Sequence, residues 1–431
     1  MESAADVVGD IERRVADGVL RPGDRLPPVR TMAAQVGLAP NTVAAAYRML
    51  QSRGILIGKG RAGTFVSARP PVSGSVAPTV PPGVIDLSTG NPDPSFLPDL
   101  PPQAFAAHPP VLYGAPSIDE QLAVAASRWL AADGITAQEI VPVSGALDGM
   151  ERVLAAHLRP GDRVAVEDPA YAAVVDLLAA LGLLPVPVAV DDHGPLVDAL
   201  AAAVESGVQA VVITPRAQNP RGAALTGGRA NALRHALAST ESVLVIEDDH
   251  AGQVSGSELH SIIDRDRPRW AHIRSVAKEL GPDLRVAVVA ADATTRRRVL
   301  GRQRVGPGWV SHHLQRAVAL LLDDAAVTQR LTAAANAYAE RRTFLIDTLA
   351  AAGVEAHGRS GLNVWVPTAD EGAVVAALLE RGFAVRSGSA FRLQSAPGVR
   401  VTVAGHPVET LDEVADAFIE AFVSTERIRT G

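Results

Sequence analysis

The chain has 431 residues, of which 47% are hydrophobic and 20% charged, with a formal net charge of −7 and no cysteine. That length suits two or three globular domains, while the lack of cysteine excludes disulfides, thiolate metal sites and cysteine nucleophiles, and the 11 histidines show no paired metal-ligand spacing. No apolar run nears the roughly 20 residues of a membrane span, and residues 1–14 mix charges without an apolar signal core, so a soluble, cytoplasmic protein using neither metal nor membrane is expected.

The net acidity hides a basic N-terminal stretch. Residues 25–85 hold Arg25, Arg30, Arg48, Arg53, Lys59, Arg61 and Arg69 and no Asp or Glu, the distribution that binding to a phosphate backbone requires. Val8, Ile11 and Val15 recur at helical spacing, and Val29, Met32, Ala33 and Val36 repeat the pattern until Gly37 and Pro40 interrupt it. A third helix is predicted from near Asn41 and Thr42, burying Val43, Ala46, Tyr47 and Leu50 and ending at Gly54. Beyond it, residues 55–57 and 64–66 flank a glycine-studded turn, which reads as a hairpin with a cationic tip. Helix, helix, turn, helix and hairpin make a winged helix-turn-helix over residues 1–68.

The run PGDRLPPVRTMAAQVGLAPNTVAAAYRMLQSRGILIGKGRAGTFV closely resembles the DNA-binding module of GntR-family regulators. The resemblance implies that Arg30 on the second helix, Asn41 and Thr42 at the start of the recognition helix, and Arg61 with Gly63 on the wing approach double-stranded DNA. Short polar side chains at a helix N-terminus suit phosphate and base-edge contacts, and a glycine-rich wing lets backbone come close to the minor groove.

Residues 69–84 carry five prolines among small and polar residues and read as a linker. The segment from 85 to 431 then alternates helical stretches with apolar runs at 141–143, 163–167, 210–214, 243–247 and 285–289, predicting an α/β domain with a mostly parallel central sheet. Ligands of such sheets collect at the carboxyl ends of strands, where several polar residues fall. Ser144, Gly145 and Ala146 open a helix whose amides suit a phosphate, and Tyr171 follows the next strand. Asn219 precedes a proline after the third, and Asp248 follows the fourth, where a buried acid calls for a cationic partner.

Ser275, Lys278 and Arg285 then put a hydroxyl, an amine and a guanidinium in one short stretch. The chain holds only two lysines, Lys59 and Lys278, so one side-chain amine serves everything beyond the linker. A guanidinium stays protonated and cannot condense with an aldehyde, whereas a desolvated lysine amine can.

Phosphate turn, aromatic, Asn-Pro, Asp, Ser-x-x-Lys and Arg, in that order, resemble the pyridoxal 5′-phosphate site of fold-type I aminotransferases, which implies a smaller C-terminal α+β subdomain after the central sheet. The resemblance implies that Lys278 condenses with the cofactor, Asp248 pairs with its ring nitrogen, Asn219 bonds its phenolic oxygen and Tyr171 stacks on the ring. It further implies phosphate binding by Ser144, Gly145, Ala146, Ser275 and Arg285, and an effector carboxylate on Arg400. His250 stands where the family usually has a ring-contacting tyrosine, and as a histidine it is expected to titrate near neutrality. Ala277, Leu147, Ile118 and Ala123 also depart from the usual residues, weakening the case for efficient transamination.

Winged helix, linker and aminotransferase-like domain together resemble the MocR-like subfamily of GntR regulators. That implies a homodimer whose residues 308–315 reach the partner's pocket, an operator with two half-sites, and control by an amino acid or vitamin B6-related effector. The leading reading is a cofactor-responsive transcriptional regulator. The alternatives are an aminotransferase with an accessory DNA module, and a DNA-binding dimer whose cofactor site is only structural.

Overall fold

The computed structural model describes residues 3–16, 19–52, 55–58, 60–67, 80–106, 108–136 and 139–430. The expected helix stop at Gly54, the wing-tip Lys59, the side chain of Arg61 and most of the linker lie outside the described residues. The chain has an N-terminal unit up to residue 67 and a larger C-terminal unit from residue 80.

In the first, α1 (Ala4–Ala16), α2 (Val29–Val36) and α3 (Pro40–Ser52) precede β1 (Leu56–Gly58) and β2 (Thr64–Val66). Gly37, at φ 71°, closes α2 in the left-handed region, and its N–H bonds the Ala33 carbonyl. Pro40 opens α3, at a position whose N–H would have had no helical partner. The apolar faces meet in a core of Val8, Ile11, Met32, Val43, Ala46, Leu50 and Val66. Truncating a residue as buried as Leu50 to Ala costs about 2–5 kcal/mol. Tyr47 is buried with them, and its hydroxyl donates to the Pro27 carbonyl at 2.8 Å, tying α3 to the turn before α2. The wing is antiparallel, with Ile57 opposite Phe65, and a 3-10 turn at Gly60–Ala62 forms its tip.

The larger unit opens with β3 (Ile85–Asp86) and α4 (Glu120–Ala132). Its sheet strands and helices then alternate: β4 (Ile140–Val143), α5 (Ala146–His157), β5 (Arg163–Asp168), α6 (Ala172–Ala180), β6 (Leu184–Asp191), β7 (Gly194–Pro195), α7 (Val197–Glu205), β8 (Ala210–Ile213) and α8 (Gly227–Leu237). The series continues with β9 (Leu244–Asp249), β10 (Trp270–Ser275), β11 (Ala287–Ala291), α9 (Ala293–Arg304), α10 (His312–Asp323) and α11 (Ala325–Ala351). Eight strands lie in the order β4-β11-β10-β9-β8-β5-β6-β7. β8, β9 and β10 run parallel, and β11 is antiparallel to both β10 and β4. The five expected strands are present, but two boundaries move: Asp248 lies inside β9, and β11 starts two residues after Arg285.

The reversed strand positions the site. Ala287, at the start of β11, pairs with Ser275, at the end of β10, and with Val143, at the end of β4. Arg285 therefore meets the residues leaving β4 and β10 at one edge of the sheet.

The C-terminal subdomain is α+β, as expected. β12 (Asn363–Pro367), α12 (Glu371–Glu380), β13 (Phe383–Ala384), β14 (Arg386–Ser387), β15 (Gly398–Thr402) and α13 (Val408–Thr430) follow in turn. β12, β15 and β14 form an antiparallel sheet, and β13 pairs in parallel with β3. Leu345, Val364, Val374, Val399, Leu411 and Phe418 fill the core between this sheet and its helices. Among the described residues, no helix is long and apolar enough to cross a membrane.

Candidate functional site

One cavity at the carboxyl edge of the sheet gathers Ala146, Tyr171, Asn219, Asp248, His250, Ser275, Lys278, Arg285 and Arg400, with Thr89, Gly90, Leu147, Ala277, Leu362 and Asn363 completing much of its wall. Ser144 and Gly145 stand immediately behind Ala146. Arg285 Nη2 donates to the Ser144 carbonyl at 2.9 Å, and Gly145 beside it has φ 101°, a left-handed conformation that favours glycine. The Ser144 N–H is taken by Asp148 Oδ2 at 2.8 Å, which leaves the serine hydroxyl and the amides that follow it to meet an anion. Arg285 itself sits at φ 48°, a left-handed conformation a non-glycine residue adopts at an energetic cost.

Lys278 follows β10 after the short Val276–Ala277 turn and donates from Nζ to the Gly90 carbonyl at 2.7 Å. Burial first, and the nearby Arg400 second, bring its amine down to about 8, so a sizeable neutral fraction exists near pH 7.

Asp248 and Asp249 are adjacent in β9, but the electrostatics divide sharply between them. Burial raises the Asp249 pKa, but Arg274 and Arg216 outweigh that effect and hold its carboxyl well below the ordinary range. Arg216 grips it in bidentate fashion, Nε and Nη2 each at 2.9 Å, and Arg274 Nε adds a bond at 2.7 Å. Both guanidiniums also reach Asp133, giving a cluster of two cations and two anions. Among the described residues, Asp248 receives no such partner. Its Oδ1 is buried without a hydrogen bond, and burial, followed by the charge of Asp249, raises its pKa to about 7. The cationic partner expected for Asp248 is thus found on its neighbour, which leaves Asp248 open to a donor from the cavity.

His250 departs from expectation. Loss of water around its ring, with the Lys278 charge adding to it, lowers its pKa to about 4, so it is neutral at physiological pH and does not titrate near neutrality. Arg400, on β15, is buried beneath the cavity with its guanidinium over the Phe391 ring, 4.9 Å from the centroid. Nη1 donates to Asn219 Oδ1 at 3.1 Å, Nη2 donates to the Ser88 carbonyl, and Nε has no partner. Burial first and Arg386 second lower its pKa to about 10, the signature of a buried cation short of an anion.

The donor set fits a flat aldehyde cofactor bearing a protonated ring nitrogen and a phosphate. A neutralisable amine, an orphaned carboxyl oxygen and an arginine beside a helix start lie around one space. A buried arginine on the same wall suits a carboxylate.

The chain matches two family models: bacterial regulatory proteins of the gntR family over residues 3–66, and aminotransferase class I and II over residues 82–418. It is 40% identical to the vitamin B6 salvage pathway transcriptional repressor PtsJ of Salmonella typhimurium, over 93% of this chain and 94% of that protein. The chain belongs to the MocR-like subfamily of GntR-family transcriptional regulators. It is also 28% identical to the pyridoxine biosynthesis transcriptional regulator PdxR of Corynebacterium glutamicum, over 79% of this chain and 77% of that protein. The larger unit has the fold of the α-aminoadipate aminotransferase of Thermus thermophilus, a structure complexed with N-(5′-phosphopyridoxyl)-L-leucine, at 19% identity and a TM-score of 0.70 over 80% of this chain and 94% of that one.

In this MocR-like regulator the winged helix is the DNA-binding module. Arg30 and Asn41 are exposed, on α2 and at the start of α3, and Thr42 is half-buried with its N–H bonded to the Ala39 carbonyl. Gly63 has φ 110°, and the Arg25 side chain packs so close that a Cβ on Gly63 would stand 3.0 Å from its Nε. Arg25 thereby joins the wing, a placement that its position before α2 does not reveal. Residues 308–315 pack on their own chain: Gln315 donates to the Ser117 and Val310 carbonyls, and Trp309 meets Tyr113 edge-on with centroids 5.5 Å apart.

The cavity residues missed by sequence reading are Thr89, Gly90, Leu362 and Asn363, along with the ion cluster of Arg216, Arg274, Asp133 and Asp249. Ser88-Thr89-Gly90-Asn91-Pro92 is a turn-rich string, which was the available signal for the first pair. The others carry no local pattern.

Proposed function

We propose that this regulator binds pyridoxal 5′-phosphate in the cavity and that loading with the cofactor, or with an amino-compound adduct, alters its affinity for an operator. The observation that carries this reading is the pairing, in one cavity, of the depressed Lys278 amine with the orphaned Asp248 oxygen. When bound, the cofactor supplies an aldehyde that amines attack and a ring that withdraws electrons. The chain's own residues set how that chemistry is used. Lys278 offers the amine, and Asp248, charged once it faces a ring N–H, holds the proton on that nitrogen. Ser275, Arg285, the Ser144 hydroxyl and the amides at Gly145 and Ala146 bind the phosphate. Asn219 orients the ring through its oxygen, Tyr171 covers its face, and neutral His250 is placed to make a hydrogen bond without adding charge. Arg400 receives the carboxylate of an amino-acid-like effector.

On the DNA side, Arg30, Asn41, Thr42, Arg61 and Gly63 contact the duplex, with Arg25 beside them. The working form is a cytoplasmic homodimer. Tyr113, at 95% exposure, and the adjoining Trp309 form a face suited to a second copy and to completing its cavity. Because Lys278 and Arg400 line one cavity, a residual transamination half-reaction stands as a second reading.

The test combines borohydride reduction and mass spectrometry with a gel shift on DNA from upstream of the protein's own gene, with and without pyridoxal phosphate. Added pyridoxyl mass on Lys278 together with a cofactor-dependent shift supports the reading. Absence of that mass ends it, and mass without any change in DNA binding leaves only a structural cofactor.

A further inference from the structure

Three residues at the entrance to the larger unit are held by side chains from far along the chain. Ser88, Thr89 and Gly90 come shortly after β3, and Thr89 and Gly90 line the cavity. Lys278 Nζ donates to the Gly90 carbonyl at 2.7 Å, and Arg400 Nη2 donates to the Ser88 carbonyl. The Thr402 hydroxyl accepts the Gly90 N–H at 2.9 Å. Gly90 has φ 72°, and a Cβ there would stand 3.3 Å from Arg400 Nη1, so the close approach requires glycine. Just upstream, the Ile85 and Leu87 N–H groups bond the Gly382 and Ala384 carbonyls, fixing the segment's other end to the C-terminal subdomain. The chain coming from the winged helix enters the larger unit through this stretch.

We propose that residues 88–90 form a strap with two inputs, held by Lys278 and Arg400 and released as those side chains engage a carbonyl cofactor and a carboxylate ligand. The inference rests on the cofactor reading above and adds the route by which loading reaches the linker. When the neutral Lys278 amine adds to the aldehyde carbon, both amine hydrogens leave with the aldehyde oxygen as water and a carbon–nitrogen double bond forms. The nitrogen that donated to Gly90 is then spent on the cofactor. Likewise, a guanidinium offered a carboxylate exchanges a neutral carbonyl acceptor for a charged one, which makes the stronger hydrogen bond. The Thr402 hydroxyl, together with the bonds from Ser88 to Asp86 Oδ1, then retains the strap. The two sensing residues thus act on one backbone segment, a physical two-state element that both ligands bias.

Amide hydrogen exchange on the full-length protein, read in a peptide spanning residues 86–92, tests this, with cofactor capture followed by borohydride mass on the same samples. Adding pyridoxal phosphate is expected to speed exchange in that peptide about tenfold, the effect of losing one charge-assisted bond. Thr402→Val, which removes the third tie, should show faster exchange without cofactor, and its operator Kd should move toward that of loaded wild type. Lys278→Arg keeps a donor for Gly90 but cannot condense, so added cofactor should leave its exchange unchanged. Full capture with unchanged or slower exchange in wild type would overturn the strap, as would a Thr402→Val operator Kd equal to that of unloaded wild type. Absence of capture would overturn the cofactor reading and the strap with it, and the mass measurement tells the two failures apart.

Discussion

In the winged helix two of the residues proposed to meet DNA, Arg30 and Asn41, are exposed, and beneath them lies an apolar core. In the cavity of the larger unit the reactive groups are buried, and their protonation follows from what does or does not face them. A surface cation finds its partner in a phosphate and needs little from the protein, so its effect is screened by salt. A buried amine or carboxyl is tuned by neighbours that must themselves be placed to within a bond length. The first kind of site tolerates an approximate scaffold and the second does not.

The largest break in this contrast comes from Lys278→Ala, which should abolish borohydride-trappable pyridoxyl mass on the larger unit and the absorbance of lysine-bound cofactor, while the winged helix still binds DNA. Next, Asp248→Asn should weaken cofactor retention by about 100-fold in an equilibrium dialysis measurement, because a buried charge-assisted bond is worth about 1.5–3 kcal/mol. Asp249→Asn is a sharper variant. It removes the neighbouring charge that, after burial, raises the Asp248 pKa, so the Asp248-dependent part of the melting-temperature profile should move to lower pH, and an unmoved profile would show that the division of charge between the two aspartates is incidental. For the exposed site, Arg30→Ala should weaken operator binding about tenfold and lower the slope of log Kd against log salt by about 0.9, as loss of one phosphate contact requires. An unchanged slope would place Arg30 off the backbone.

The pH predictions are smaller. Since the Lys278 amine titrates at about 8, the capture rate should climb as pH rises toward that value and level off above it. In the cofactor-free protein Asp248 titrates at about 7 against an ordinary 3.8, so between those values the native chain holds a proton that the unfolded chain has released. Its stabilising contribution is therefore complete below the lower value and is lost as pH rises through the upper one. Asp248→Asn should flatten that part of the melting-temperature profile. The smallest effect is expected for His250→Tyr: with the imidazole neutral down to about 4, the spectral titration between pH 6 and 9 should match wild type.

Sequence reading recovered what has a local period or a local motif. The helices of the winged unit follow from Val8, Ile11, Val43 and Leu50, and β8 and β9 from uninterrupted apolar runs. β10 escaped because Trp270–Ser275 buries His272 and Arg274, breaking the apolar run that marks an inner strand, and β6 escaped because its stretch contains two prolines. In the cavity, the ordered residues from Ser144 to Arg285 could be read because they lie at or within a few residues of strand ends. Gly90 and Asn363 could not, since the topology alone brings them there. Composition carried no hint that Asp249, and not Asp248, takes the arginines, or that His250 is held neutral. Those facts depend on which groups share a low-dielectric space.

The antiparallel course of β11 has an evolutionary consequence. Its neighbours β4 and β10 each hand a residue to the rim as they exit the sheet, whereas β11 hands over Arg285 on the way in, just after the Pro282–Leu284 turn. The height of that guanidinium above the sheet is thus governed by the Pro282–Leu284 part of the connection, which lies beyond Lys278 and holds neither the amine nor the ring-facing acid. Descendants of this chain could loosen or tighten their grip on an anion by trimming that connection, leaving the rest of the pocket as inherited.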